Sequence, residues 1–268
     1  MSSLSQKIVK KVFNKFGIGY SNQEDAKKYE LINSAFERLL FIIKKNNSEN
    51  SSLAFLGFAA DKLLKSESQL FQDLFVLYTL NSKTNGFFVE FGATNGKSLS
   101  NTYLLEKEFG WKGIVAEPGK VWHEDLHKNR SCIIEDRCVW SSTGEELIFF
   151  ETTNMAELST IKGYAETDYF SEERTQRKEY RVQTISLNDL LKFHKAPDII
   201  DYLSVDTEGS EFEILKGVDF SKYKFRTITV EHNLTAIRDE IFTLLNKNNY
   251  KRVHQDISAF DDWYTLDC

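Results

Sequence analysis

From Gly86 onward the chain alternates short apolar runs with stretches of helical spacing. The runs at 87–91, 113–117, 132–139, 201–205 and 226–231 have strand length. The stretches between them, at 98–109, 120–128, 209–216 and 235–248, repeat apolar positions at helical intervals. This alternation predicts an α/β protein, a parallel sheet with helices on both faces. The tail, YKRVHQDISAFDDWYTLD, reads as two closing strands in a hairpin. Residues 140–185 interrupt the rhythm with a polar stretch bounded by strands near 146–151 and 179–184, read as an insertion facing the substrate.

Before Gly86 the spacing is helical. SQKIVKKVFNKF, residues 5–16, sets Ile8, Val9, Val12, Phe13 and Phe16 on one face and its lysines on the other. Such a basic amphipathic helix packs on its own domain or a partner, or lies on a membrane surface. Residues 22–46 form a second helix with Asn22 as its cap and Glu24 and Asp25 in its first turn, ending in the polar run NNSENSS. Two more apolar helices follow at 53–64 and 70–80. The organisation expected is a helical N-terminal extension over 1–67 and an α/β domain over 68–268. The extension covers a sheet edge, shapes the substrate entrance or forms a homo-oligomer interface.

Composition narrows the class. At 268 residues with 41% hydrophobic and 13% aromatic content, the chain can bury one large core. The net charge of -6 gives nucleic-acid binding no global support. Three cysteines show neither CxxC pairing nor a secreted disulfide framework, which fits a reducing compartment. No apolar run reaches the ~18 residues of a membrane helix, and no signal-peptide core is present. A cytoplasmic protein is expected, with peripheral membrane contact through residues 5–16.

Four segments carry candidate chemistry. In FFVEFGATNGKSLSNT, residues 87–102, Gly92 and Gly96 fall after a strand, where open α/β sheets bind ligands. A helix from about Ser98 would offer free N–H groups to a carboxylate or phosphate. The spacing is GxxxG and not the GxGxxG of dinucleotide folds, and Glu90 beside it repels a pyrophosphate but attracts a sulfonium. That points to S-adenosylmethionine, with a ligand-free structural turn as the plain alternative. In GIVAEPG, Glu117 sits at the next strand end, placed to accept from both ribose hydroxyls. In YLSVDTEGSEFEILKG, Asp206 ends a buried strand and Glu208 follows it, each suited to act as base, metal ligand or substrate clamp. In TITVEHN, Glu231, His232 and Asn233 reach the same rim. Asp206, His232 and Asn233 suit Mg²⁺ beside a substrate hydroxyl; alternatively His232 takes the proton itself.

Together with YRVQTISLNDLL, these segments in this order resemble the FkbM family of S-adenosylmethionine-dependent methyltransferases over about residues 68–255. The resemblance implies a Rossmann-like class I methyltransferase fold, a seven-stranded mostly parallel sheet with a C-terminal β-hairpin. It also implies methylation of a hydroxyl, commonly on a sugar or a polyketide. By match, Glu90, Gly92, Ala93, Gly96 and Ser98 fall at the methionine part of the cofactor, with Asn101 nearby. Glu117 and Pro118 fall at its ribose, and Asp206 and Glu208 near the transferred methyl. The catalytic set is thus Asp206, Glu208 and His232. SLSNTYLLE with GWKGIVAEP is also similar to a membrane-trafficking subgroup, so a catalytically inactive scaffold stays as the alternative to a saccharide O-methyltransferase. A nicotinamide-dependent dehydrogenase is disfavoured by the glycine spacing.

Overall fold

The computed structural model of the chain describes residues 51–60 and 62–267, and the helices read at 5–16 and 22–46 lie outside them. The chain divides between Ser66 and Glu67 into two compact units. In the first, the described helix is α1, Ser51–Ala59, apolar along SSLAFLGFA. All that follows belongs to the second. Among the described residues no helix is long and apolar enough to cross a membrane.

The second unit begins with α2 (Gln72–Thr79), then β1 (Phe87–Phe91), α3 (Tyr103–Phe109), β2 (Lys112–Ala116), α4 (His123–Asn129) and β3 (Ile133–Glu135). The insertion holds β4 (Cys138–Trp140), β5 (Glu146–Thr152), β6 (Thr160–Ile161) and β7 (Arg177–Ser186). Then come α5 (Leu187–Phe193), β8 (Ile199–Val205), α6 (Glu211–Lys216), β9 (Lys224–Glu231), α7 (Ile237–Lys247), β10 (Tyr250–Val253) and β11 (Asp261–Leu266).

The large sheet runs β10-β11-β9-β8-β1-β2-β3. Its pairings are parallel except those of β11, which is antiparallel to both neighbours. It is the seven-stranded Rossmann-like methyltransferase sheet with its closing hairpin. Ile114, Val89, Leu203 and Ile228 share one rung across four strands, all at 0% exposure. Each such side chain contributes about 1.5–3 kcal/mol on burial. Helices on both faces account for the near-continuous apolar strands. One rung onward the row turns polar, with Glu90 beside Ser204 and Ser204 beside Thr229. That polar row lies just below the ligand-facing end.

Two expectations are corrected. The stretch 132–139 is not one strand: Asp136 and Arg137 break it, Glu135 pairs with Arg137 Nη2 at 2.7 Å, and the chain leaves the large sheet. Cys138–Trp140 then joins a second, four-stranded sheet, β4-β7-β5-β6, which the insertion builds for itself. The helix expected from Ser98 starts at Tyr103, for the reason given below.

Candidate active site

Register places four strand tips side by side. Phe91 pairs with Ala116 and with Val205, and Val205 with Val230. The next residues on these strands are Gly92, Glu117, Asp206 and Glu231, and all four line one cavity. The insertion supplies the facing wall through Leu158, Ile161 and Phe170, and Trp122, Cys138 and Val139 close one end. A crevice beyond the carboxyl ends of a parallel sheet is where open α/β folds bind ligands.

Gly92 has φ +74°, and a β-carbon there would stand 1.9 Å from the Asp206 carbonyl oxygen. Glycine therefore permits the two loops to meet. Gly96, at φ +77°, is closed in by Leu126 and the Arg130 stem, each 2.6 Å from a built β-carbon. The turn between them is held by Asn95 Oδ1, which accepts from the amides of Lys97 and Ser98. Those amides are spent, so no helix N-terminus is free at Ser98.

Glu90 explains the late helix start. Its carboxylate accepts from the Asn101 amide at 2.6 Å, from Ser100 Oγ and from Thr102 Oγ1 at 2.5 Å. Arg130 adds Nη1 at 3.3 Å, and its Nε meets Glu106 at 2.6 Å. Ser100 Oγ in turn accepts from the amides of Thr102 and Tyr103. A buried carboxylate is thus paired and hydrogen-bonded from within the loop, as burial of charge requires. Glu90 lies behind the cavity wall and its charge is answered by Arg130, a residue with no local signal in the sequence. The expectation that Glu90 itself faces a sulfonium is corrected on this ground.

Glu117 stands at the wall. Its two oxygens accept from the amides of Thr94 at 2.9 Å and Gly119 at 2.7 Å. Burial raises its carboxyl to about 7 against the pull of those two amides. At the other end Asp206, Glu208 and Glu231 bring carboxylate oxygens within 4.8 Å of one another. Burial, reinforced by the neighbouring carboxylates, holds Asp206 and Glu231 well above the usual range. Glu208 is raised to about 8 by burial, opposed by Arg174, whose Nη2 lies 2.8 Å away. Asn233 Nδ2 donates to Glu231 at 3.0 Å. Among the described residues that line the cavity there is no Lys, Arg or His.

His232 is elsewhere. The strand ends at Glu231 and the chain turns at Asn233, φ +45°, which lines the cavity with Glu231 while His232 does not. Its Nδ1 accepts from the Leu234 amide at 3.1 Å, and its Nε2 lies 3.8 Å from Asp262, which Arg238 and Arg252 hold. Of the expected metal set, Asp206 and Asn233 line the cavity and His232 does not, while Asp206, Glu208 and Glu231 are the three carboxyls brought together there. Of the cofactor positions read from the sequence, Gly92, Glu117, Pro118 and Asp206 line the cavity. Ala93, Gly96, Ser98 and Asn101 shape its loop without lining it. Glu231 and Thr94 line it as well and Arg174 stands behind Glu208, and of these only Glu231 stood out in the sequence.

Fold and crevice together define an α/β protein with a carboxyl-lined cavity at the tips of its parallel strands. The chain belongs to the FkbM methyltransferase family: residues 90–252 match the methyltransferase FkbM domain, more than half of its length. It is accordingly an S-adenosylmethionine-dependent methyltransferase. Among solved structures it is similar to a precorrin-6y C5,15-methyltransferase from Geobacter metallireducens GS-15, with 10% identity and TM-score 0.37 over 67% of this chain and 70% of that one. It is also similar to a fibrillarin/Nop5p complex, with 14% identity and TM-score 0.31 over 67% and 71%. No curated protein matches the sequence.

Proposed function

We propose that the chain transfers the methyl group of S-adenosylmethionine to a hydroxyl of a saccharide, on a surface polysaccharide or a glycosylated metabolite. The observation that carries this reading is the cavity wall itself: carboxyls at both ends and no basic side chain among its described residues. A sulfonium is attracted there, and a phosphate-bearing or carboxylate-bearing acceptor is repelled. Exposed Tyr169 and cavity-lining Phe170 sit side by side on the insertion, aromatic surface of the kind that receives a sugar ring.

In this mechanism Glu117 receives the ribose hydroxyls and the Cys138, Val139 and Trp122 end receives the base. The acceptor oxygen lies in line with the sulfonium methyl at ~3 Å. Glu208 in its ionised form accepts the single proton, and with its carboxyl raised to about 8 that form grows as pH rises through about 8. The oxygen donors of Asp206, Glu208 and Glu231 have the chemistry that a hard cation such as Mg²⁺ prefers, and those residues would hold it. Such an ion would lower the pKa of the hydroxyl.

Cys132 and Cys138 are free thiols, which supports a cytoplasmic setting. Glycans from cells with and without the gene are to be compared by mass spectrometry. Loss of one CH₂ per methylated sugar on deletion is expected, and identical glycan masses would remove the saccharide reading. Transfer unchanged by EDTA and metal-free dialysis would remove the metal.

A further inference from the structure

Arg174 lies in the insertion, between β6 and β7, within the polar stretch SEERTQRKE. Its side chain is nevertheless wholly enclosed, at 0% exposure. The guanidinium grips both oxygens of Asp168, at 2.5 and 2.9 Å, and donates to the carbonyl of Leu158 at 2.8 Å. Nη1 also reaches the Ala165 carbonyl at 3.5 Å, and Nη2 donates to Glu208 Oε2 at 2.8 Å. Thr160 Oγ1 donates to the Glu208 carbonyl at 2.9 Å. The backbone of Glu208 is left-handed, at φ +58°, a conformation that costs a non-glycine residue about 1 kcal/mol or more. Glu208 is therefore held at both its side chain and its carbonyl by the insertion, not by the sheet that carries it.

Among its other neighbours, Asp206 and Glu231 offer oxygens within the same 4.8 Å cluster, and Asn233 Nδ2 donates to it at the long distance of 3.5 Å. Arg174 is the cation that keeps Glu208 against the cavity wall. We propose that Arg174 is a positioning residue: by fixing Glu208 at the methyl end of the crevice, it makes the site favour the positively charged donor over its neutral product. This rests on the S-adenosylmethionine reading of the cavity. When the methyl leaves, the sulfonium becomes an uncharged thioether and its attraction to Glu208 disappears, while every contact to the adenosine end is unchanged. Release of product is thereby built into the wall.

The test is calorimetric titration of the full chain, at a pH above 8 where Glu208 is ionised, with S-adenosylmethionine and with S-adenosylhomocysteine, in wild type, R174Q, R174K, E208Q and the R174Q/E208Q pair, with melting temperatures recorded. Wild type should prefer the donor. R174Q and E208Q should each weaken donor binding roughly tenfold, the effect of one partly screened charge pair, and leave the product within about twofold. The double variant should be no weaker than either single one, because both act through one carboxylate. R174K should restore part of the preference. If R174Q does not fold, R174K and E208Q decide by the same comparison. Equal weakening of donor and product in the Arg174 variants, or no change in either, overturns the proposal. A wild-type chain that binds neither molecule overturns the donor reading instead, which is a different result.

Discussion

Gly92 and Asp206 touch backbone to backbone: a β-carbon on Gly92 would stand 1.9 Å from the Asp206 carbonyl oxygen. The contact joins the loop after β1 to the loop after β8, both of which line the cavity. The positive φ of Gly92 adds a second penalty for any other residue. Gly92→Ala should weaken S-adenosylmethionine binding by at least about a hundredfold and lower stability by ~2–3 kcal/mol, through overpacking and strain. Titration and denaturant unfolding read the two effects separately.

Glu90 and Arg130 form a pair with side chains 2% and 0% exposed. Removing one partner strands the other charge. Glu90→Ala and Arg130→Ala should each cost about 3–5 kcal/mol in denaturant unfolding, whereas breaking the surface pair of Lys128 with Glu124 should leave the unfolding midpoint nearly unchanged. A small loss at Glu90 would show that the loop from Gly92 to Thr102 is held some other way.

How much of this was legible in the sequence follows from which forces are local. FFVEF, GIVA and YLSV announce strands because a sheet covered on both faces needs unbroken apolar runs. Glu117, Asp206 and Glu208 were legible because position at a strand end is itself a local property. Strand alternation does not settle the side on which His232 falls, since the strand ends at Glu231, and chemistry drew the assignment to the histidine. The break at Asp136 and Arg137 lay in plain view as charges inside an apolar run. Arg174 and Arg130 were not legible. Each is buried by partners distant in sequence, Glu208 at 34 residues and Glu90 at 40, and nothing in SEERTQRKE marks one arginine as interior. The second sheet was hidden likewise, since β4 pairs with β7 across more than forty residues.

His232 follows the last residue of β9 and lies away from the cavity, beside Asp262 and its two arginines. His232→Asn should leave S-adenosylmethionine affinity within about twofold while lowering stability by ~1–2 kcal/mol, the range for disturbing a buried polar group. A hundredfold loss of donor binding or of methyl transfer at full folding would return the histidine to the site.

Glu117 couples pH to both stability and binding. Its folded-state carboxyl is raised from 4.5 to about 7, so between these values the folded chain holds a proton that the unfolded chain has lost. Stability from this group is complete below pH about 4.5 and is lost as pH rises through about 7, a change of up to ~3 kcal/mol. Glu117→Gln should flatten that slope. Donor binding should run the other way and strengthen over the same window, because the ribose hydroxyls donate to the ionised carboxylate. Melting curves and titrations across pH 5 to 8 are expected to show opposite trends.

A crevice walled by carboxyls and free of basic side chains among its described residues should take a sulfonium and refuse a pyrophosphate. Equilibrium titration of the intact chain with S-adenosylmethionine and, separately, with NAD measures this directly. Saturable binding of the methyl donor with no response to NAD is the result expected; tight NAD binding by a chain that ignores the donor would contradict it.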